Sequence, residues 1–269
     1  MEAERKPRII LGLITIGPEG SPEARMASLD DFKKSLNIFQ GPGALIDAFD
    51  IRLKSPGMDS VDVPVDKLYK AGKSLRFGLS NDASFEVAAI VMTCVHNGWI
   101  RPTAYQAIYN YLFRTIEDEL IQTCRRYGIA VDVHNPTGGR FLLGRTTSKN
   151  NDPKEGKYTT GPFQHLTRGR YSKYSTIAGA QMIPMRWLAH HSELRVREGH
   201  DGIVIGFSNI QRLKDNLDYI EKGLLDMELL QVLDRVWKMS RGDMETYWQL
   251  PMAYTYDTKE EPFRRDFAT

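Results

Sequence analysis

Four stretches of the chain place polar side chains where a parallel sheet would do chemistry. "SLRFGLSN" (74–81) closes on Ser80-Asn81. "PTAYQAIYN" (102–110) carries Gln106 and closes on Tyr109-Asn110. "IAVDVHNP" (129–136) closes on His134-Asn135-Pro136, and "DGIVIGFSN" (201–209) on Ser208-Asn209. If these are parallel strands, their ends converge on one face of the sheet. Amide and hydroxyl groups gathered there suit an amide- or phosphate-bearing ligand. The same residue types begin turns, so plain strand-end capping is the competing reading.

Two loops extend the pattern. "NPTGGRFLLGR" (135–145) is glycine-rich directly after a strand, and glycines let backbone amides approach a pyrophosphate, although an ordinary turn would read the same. "GFSNIQRLKDN" (206–216) joins a strand to a helix whose N-terminus can hold phosphate. Arg212 and Lys214 add positive charge there, and an arginine suits a 2′-phosphate; a solvated first turn is the alternative. His190 and His191 are adjacent, so they point to different faces of a helix and do not make one metal site. A helix-end cation and a core contact account for them, and His96 near its helix stop reads the same way. His165 and His200 lie in polar loops with no partner visible in the sequence. CxxC, HExxH, GxSxG and phosphate-loop motifs do not occur.

The elements that must position these residues alternate. "RIILGLITIG" (8–17) reads as a buried strand. Residues 28–40 carry Leu29, Phe32, Leu36 and Phe39 at helical spacing behind a Ser28 cap. "ALIDAF" (44–49) is a second strand. Asp62-Val63 is a short one, followed at once by Pro64, a helix over 65–70 and a strand over 75–79. Helices are expected over 84–98, 115–128 (capped by Thr115), 178–194, 210–223 and 226–240, with strands over 102–110, 129–136 and 201–209. Strands alternating with helices at this spacing mean a parallel sheet. Five or six strands are legible, short of the eight of a full barrel.

Composition bounds the rest. The chain has 269 residues, 41% of them hydrophobic and 26% charged, which fits one large α/β domain spanning 1–269. A net charge of +2 with interspersed signs gives no field for nucleic acid or anionic membrane. No apolar run approaches a membrane span, and "MEAERKPRIILGLITIG" does not read as a signal peptide. Cys94 and Cys124 read as buried free thiols, so a cytoplasmic protein is expected.

"GKSLRFGLSN", "NGWIRPTAYQAIYN", "EDELIQTCRRYGI", "MRWLAHHSEL", "DGIVIGFSNIQRLKDNL" and the tail "YWQLPMAYTYDT" together resemble an aldo-keto reductase. The likeness is to the aflatoxin-aldehyde reductase-like branch found in fungal secondary-metabolite clusters, over roughly residues 7–54 and 57–256. It implies a (β/α)8 TIM-barrel-like fold, NADPH/NADP held at the strand C-termini, and hydride transfer to a carbonyl of a small-molecule substrate. The protein would then supply orientation and electrostatics. By the resemblance, Ser80, Asn81 and Gln106 bind the nicotinamide carboxamide. Asn135, Pro136, Gly139, Gly144 and Arg145 wrap the pyrophosphate. Ser208, Asn209, Arg212 and Asn216 hold the adenosine phosphate, with Arg212 on the 2′-phosphate. Asp47 falls on the family's catalytic Asp, and His134 takes the place of the aromatic residue that stacks on nicotinamide.

The departures fall mostly in the N-terminal half, with a further block missing between Tyr174 and Ala178, where a family helix would run. Arg52 stands where the family has its catalytic Tyr. The Lys-bearing strand has no counterpart, and the His-bearing strand shrinks to "VDV" (61–63), so one or more βα pieces are shortened or missing. Three readings follow: a carbonyl reductase with a rebuilt acid drawn from Tyr105, Tyr109, His134, Tyr254 or Tyr256; a remnant that binds cofactor or nothing; or a retained pocket with a changed reaction, such as an isomerase or cyclase.

Overall fold

The computed structural model describes residues 7–11, 66–67, 69–72, 76–138, 142, 182–207 and 209–248. Five strands are seen among them: β1 (Ile9–Leu11), β2 (Gly78–Ser80), β3 (Ala104–Ile108), β4 (Ala130–His134) and β5 (Gly202–Ile205). All pair in parallel, in the order β1-β5-β4-β3-β2. The helices are α1 (Ser84–Asn97), α2 (Leu120–Tyr127), α3 (Met182–His190), α4 (Ile210–Glu221) and α5 (Met227–Ser240).

The order is informative. From β2 to β5 each strand lies beside its predecessor in the chain, and β1 then pairs with β5, the last strand. First beside last is the seam of a βα barrel. The open edges, β1 and β2, are the first two strands among the described residues, and in the sequence they flank the stretch that holds the expected strands over 44–49 and at Asp62-Val63. Those two strands, the helix over 28–40 and the outer part of the strand expected over 8–17 lie outside the described residues. Among the described residues the sheet is a partial barrel, not closed by hydrogen bonds.

Strand alternation separates two faces. Leu79, Tyr105, Ala107, Val131, Val133, Ile203 and Ile205 are all buried, facing the helices. On the opposite parity Ser80, Gln106, Asp132 and His134 are polar and Ala104, Ala130 and Gly202 small, with Ile10, Ile108 and Val204 apolar. α1 packs Val87, Ile90, Val91 and Cys94 onto the sheet and stops at Gly98, whose φ of 65° is the left-handed cap that glycine allows. At its start the Glu86 carboxylate accepts from the Ala83 N–H. The helix expected over 115–128 is not continuous. Thr115–Glu117 is a 3₁₀ turn, and the α-helix begins only at Leu120, so Thr115 caps nothing there. Ile116 and Leu120 are both fully buried, one before the break at Asp118 and Glu119 and one after it.

At the opposite end from the polar strand termini, Asp201 closes the barrel floor. It is fully buried and takes both Arg125 guanidinium nitrogens, the Val131 and Arg195 N–H groups and His200 Nδ1. His200 therefore does have a partner.

α3 is stitched to the α4–α5 connection by three side chains. Arg186 donates to the Gly223 and Leu224 carbonyls, His190 Nε2 lies 2.8 Å from the Ile220 carbonyl, and His191 Nε2 accepts from the Leu225 N–H at 2.8 Å. His191 is thus a neutral acceptor rather than a helix-end cation. Burial, with His190 and Arg186 nearby, holds its pKa below the ordinary range. Its folded pKa lies below its unfolded one, near 6.5. The Leu225 bond therefore stabilises the fold fully above about pH 6.5 and is lost as pH falls through the folded value. Thermal melts should show the wild type losing stability on acidification from pH 7 to pH 5, with a shallower slope in His191→Gln. Identical slopes would remove His191 from the account.

Candidate functional site

The register builds the site. Ser80 is in register with Gln106, Gln106 with Asp132, and Asp132 with Gly202. Neighbouring strands sit about 4.8 Å apart, so these side chains form one continuous row on the polar face. At its far end Arg8, just ahead of β1, reaches across Gly202 to pair with Asp132. Gly202 makes that reach possible. A Cβ there would stand 2.7 Å from Asp132 Oδ1 and 2.8 Å from Arg8 Nη1. Arg8 is 5% exposed and Asp132 9%, so the pair forms a buried floor beside the carboxamide-type residues.

Above this row the strands end in two left-handed asparagines. Asn81 follows β2 at φ 69° and Asn135 follows β4 at φ 59°. Asparagine tolerates this region better than other side chains do. Asn81 Nδ2 lies 3.2 Å from Ser80 Oγ. Asn135 opens a turn closed by the Gly138 N–H on its carbonyl, and Pro136 is buried within it. His134, half-buried, ends β4 on the same parity as Asp132 and in register with Ile108.

Asn209 caps α4, its Oδ1 accepting from the Arg212 N–H at 2.9 Å. Arg212 is half-buried in the first turn, and Asn216 is buried one turn on. The structure thus brings Ser80, Asn81, Gln106, His134, Asn135 and Pro136 onto adjacent strand ends, and Asn209, Arg212 and Asn216 onto one helix. Asp47, Gly139, Gly144, Arg145 and Ser208 lie outside the described residues, as do Tyr254 and Tyr256.

Two acid candidates are removed. Tyr105 points to the helix layer, 1% exposed, and its hydroxyl donates to the Asp82 carbonyl at 2.6 Å. Tyr109 is fully buried against Trp187 at 5.3 Å, with its hydroxyl on Glu117. Burial first, and then the neighbouring Asp82 and Glu117, raise both hydroxyls well above the ordinary tyrosine range. Neither reaches the polar face. The cause is parity, because residues 105 and 106 of one strand face opposite ways.

Sequence reasoning missed three features. The Arg8–Asp132 pair had a signal: a charge in the middle of a buried strand requires a partner. Asn110 was seen only as a strand-end polar residue. Tyr247 was unremarked, yet it accepts from the Ser84 N–H and donates to Glu119, joining the starts of α1 and α2 on the strand-end side.

The aldo/keto reductase family model matches residues 29–238, most of the chain. The chain belongs to the aldo/keto reductase family. Its relatives include "Aflatoxin B1 aldehyde reductase member 2" of Mus musculus, 30% identical over 203 residues covering 68% of this chain and 55% of the relative. An aldo-keto reductase of Pseudocercospora fijiensis is 32% identical, over 68% of this chain and 67% of its own length. "Oxidoreductase sirO" of Leptosphaeria maculans is 27% identical over 88% of this chain and 84% of its own length. The matched region spans only 55–61% of the length of the mammalian relatives. The family generally uses NAD(P)H, and the strand-end row and the α4 N-terminus can be tested for their fit to such a group. The groups present fit one: hydroxyl and amide donors for a carboxamide, a left-handed turn for phosphates, and an arginine in a helix first turn.

Among the described residues no helix is long and apolar enough to cross a membrane, and no group of three or more His, Cys, Asp or Glu could hold a metal ion. Cys94 and Cys124 are buried thiols outside any disulfide, and burial pushes the Cys124 thiol up to about 12. That leaves it inert as a nucleophile at neutral pH.

Proposed function

We propose that the protein is an NADPH-dependent reductase acting on a carbonyl of a secondary-metabolite intermediate, terpenoid, meroterpenoid or polyketide, in the cytoplasm. The observation that carries the cofactor reading is the register of Ser80 with Gln106 at the ends of adjacent parallel strands, with Asn81 beside them. The substrate class rests on the resemblance to the fungal secondary-metabolite branch, and the compartment on two buried thiols that form no disulfide. The partner is a small-molecule carbonyl, with no role for nucleic acid or membrane.

Bound NADPH would supply the hydride. Ser80, Asn81 and Gln106 would hold its carboxamide, with His134 against the ring. Asn135 and Pro136, with Gly139, Gly144 and Arg145, would take the pyrophosphate. Asn209, Arg212 and Asn216, with Ser208, would take the adenosine phosphate. A proton donor must come from elsewhere than Tyr105 or Tyr109; His134 stands on the polar face, and Tyr254 and Tyr256 are the remaining candidates.

A second reading is a cofactor-binding protein without turnover. It is favoured by the burial of both tyrosines in the helix layer. Melting the protein with NADPH and NADH, then following NADPH oxidation with a panel of carbonyls, separates the two. A ligand at 100 times its Kd adds about 2.7 kcal/mol to a folded state that alone binds it. A shift with turnover supports the reductase, a shift without turnover the binding protein, and no shift neither. Arg212→Ala should weaken NADPH about tenfold or more and leave NADH unchanged, since a hydrogen bond to a charged group contributes about 1.5–3 kcal/mol. Equal losses for both cofactors would count against a 2′-phosphate contact.

A further inference from the structure

Asn110 follows β3 and is fully buried, an unusual place for a side-chain amide. Its oxygen accepts from the Leu112 and Phe113 N–H groups at 3.1 and 3.0 Å, closing a tight turn after β3. Its Nδ2 donates to the Asn135 carbonyl at 3.2 Å. That carbonyl also closes the Asn135–Gly138 turn, in which both end residues have left-handed backbones. One buried amide therefore ties the β3 and β4 strand ends together, and it does so at the carbonyl on which the Gly138 N–H closes the turn.

We infer that Asn110 is a positioning residue for phosphate binding: it holds the Asn135–Gly138 turn so that the Thr137 N–H, which lies between Pro136 and the Gly138 N–H that closes the turn, faces a diphosphate. This rests on the cofactor reading above. Holding Asn135 at φ 59° costs a non-glycine residue energy that its surroundings must supply, and the Asn110 donor is one such source.

The test uses the full-length chain and three ligands: adenosine 2′-monophosphate, ADP-ribose and NADPH. Asn110→Asp keeps the acceptor for Leu112 and Phe113 but turns the donor into an acceptor facing the Asn135 carbonyl. The expected result is about tenfold or greater loss of affinity for ADP-ribose and NADPH, with adenosine 2′-monophosphate unchanged. A merely structural role would weaken all three alike, and that outcome overturns the inference, as does unchanged binding of all three. If the variant does not fold, Asn110→Ser is read in the same way, because its hydroxyl can serve the turn but is too short to reach Asn135. Wild-type protein that binds none of the ligands ends the cofactor reading itself. Wild-type binding with no selective loss in the variant ends only the role of Asn110.

Discussion

Asp201→Ala is expected to cost at least about 3–5 kcal/mol, the usual penalty for leaving one half of a buried ion pair uncompensated. The loss is larger than for a simple pair because this carboxylate also serves the Val131 and Arg195 N–H groups, at 2.8 and 2.7 Å, and His200. Arg125 would keep its charge beside the empty site, and the Val131 donor would be stranded at the start of β4. Against a total stability of about 5–15 kcal/mol, such a loss should drop Tm by about 10 °C or abolish the cooperative melt. Asp201→Asn should fall between, since an amide oxygen can keep one N–H donor.

The acid limb gives a second readout. Burial pushes the Asp201 carboxyl up, but Arg125 and the Arg195 and Val131 N–H groups outweigh it and hold the pKa below the ordinary value. The folded pKa is thus below the unfolded one, near 3.9. The stabilisation is complete above about pH 4 and is lost as pH falls through the folded value. Wild-type protein should lose stability there and Asp201→Asn much less. Matching acid limbs would show that the cluster does not set the folded-state titration.

What the sequence could reveal here followed from periodicity. Apolar runs ending in Ser80-Asn81, His134-Asn135 and Ser208-Asn209 marked strands whose ends would converge, and the parallel sheet brings together those of these residues that are described. Gly98 and Gly128 end their helices in the left-handed conformation that glycine adopts cheaply. Partners across long stretches of sequence were not legible. Nothing local says that Arg8 meets Asp132, or that Asp201 collects donors from α2 and β4. Face was misjudged where polarity stood in for parity: Tyr105 and Tyr109 were grouped with the strand-end residues, but their strand positions send them into the helix layer. The break before Leu120 was invisible because both halves have helix-forming residues.

The floor of the candidate site carries the second large effect. Asp132→Ala is expected to cost about 3–5 kcal/mol, because Arg8, 5% exposed, would be left as an unpaired buried charge. The double variant Arg8→Met, Asp132→Leu should recover most of that loss, since well-packed apolar groups of similar volume often replace a buried pair without cost. Gly202 sets the limit on this repair. Its missing side chain is the space in which the pair lies, with Ile10 Cδ1 only 2.5 Å from where a Cβ would be. Gly202→Val should therefore destabilise the wild type by about 1–3 kcal/mol through overpacking. Cofactor affinity then separates scaffold from site. Asp132 is the register neighbour of Gln106, so if the pair orients the carboxamide row, the stable double variant still binds NADPH more weakly than wild type. If NADPH binds the double variant as it binds wild type, Arg8 and Asp132 hold the strands together and leave recognition to Ser80, Asn81 and Gln106.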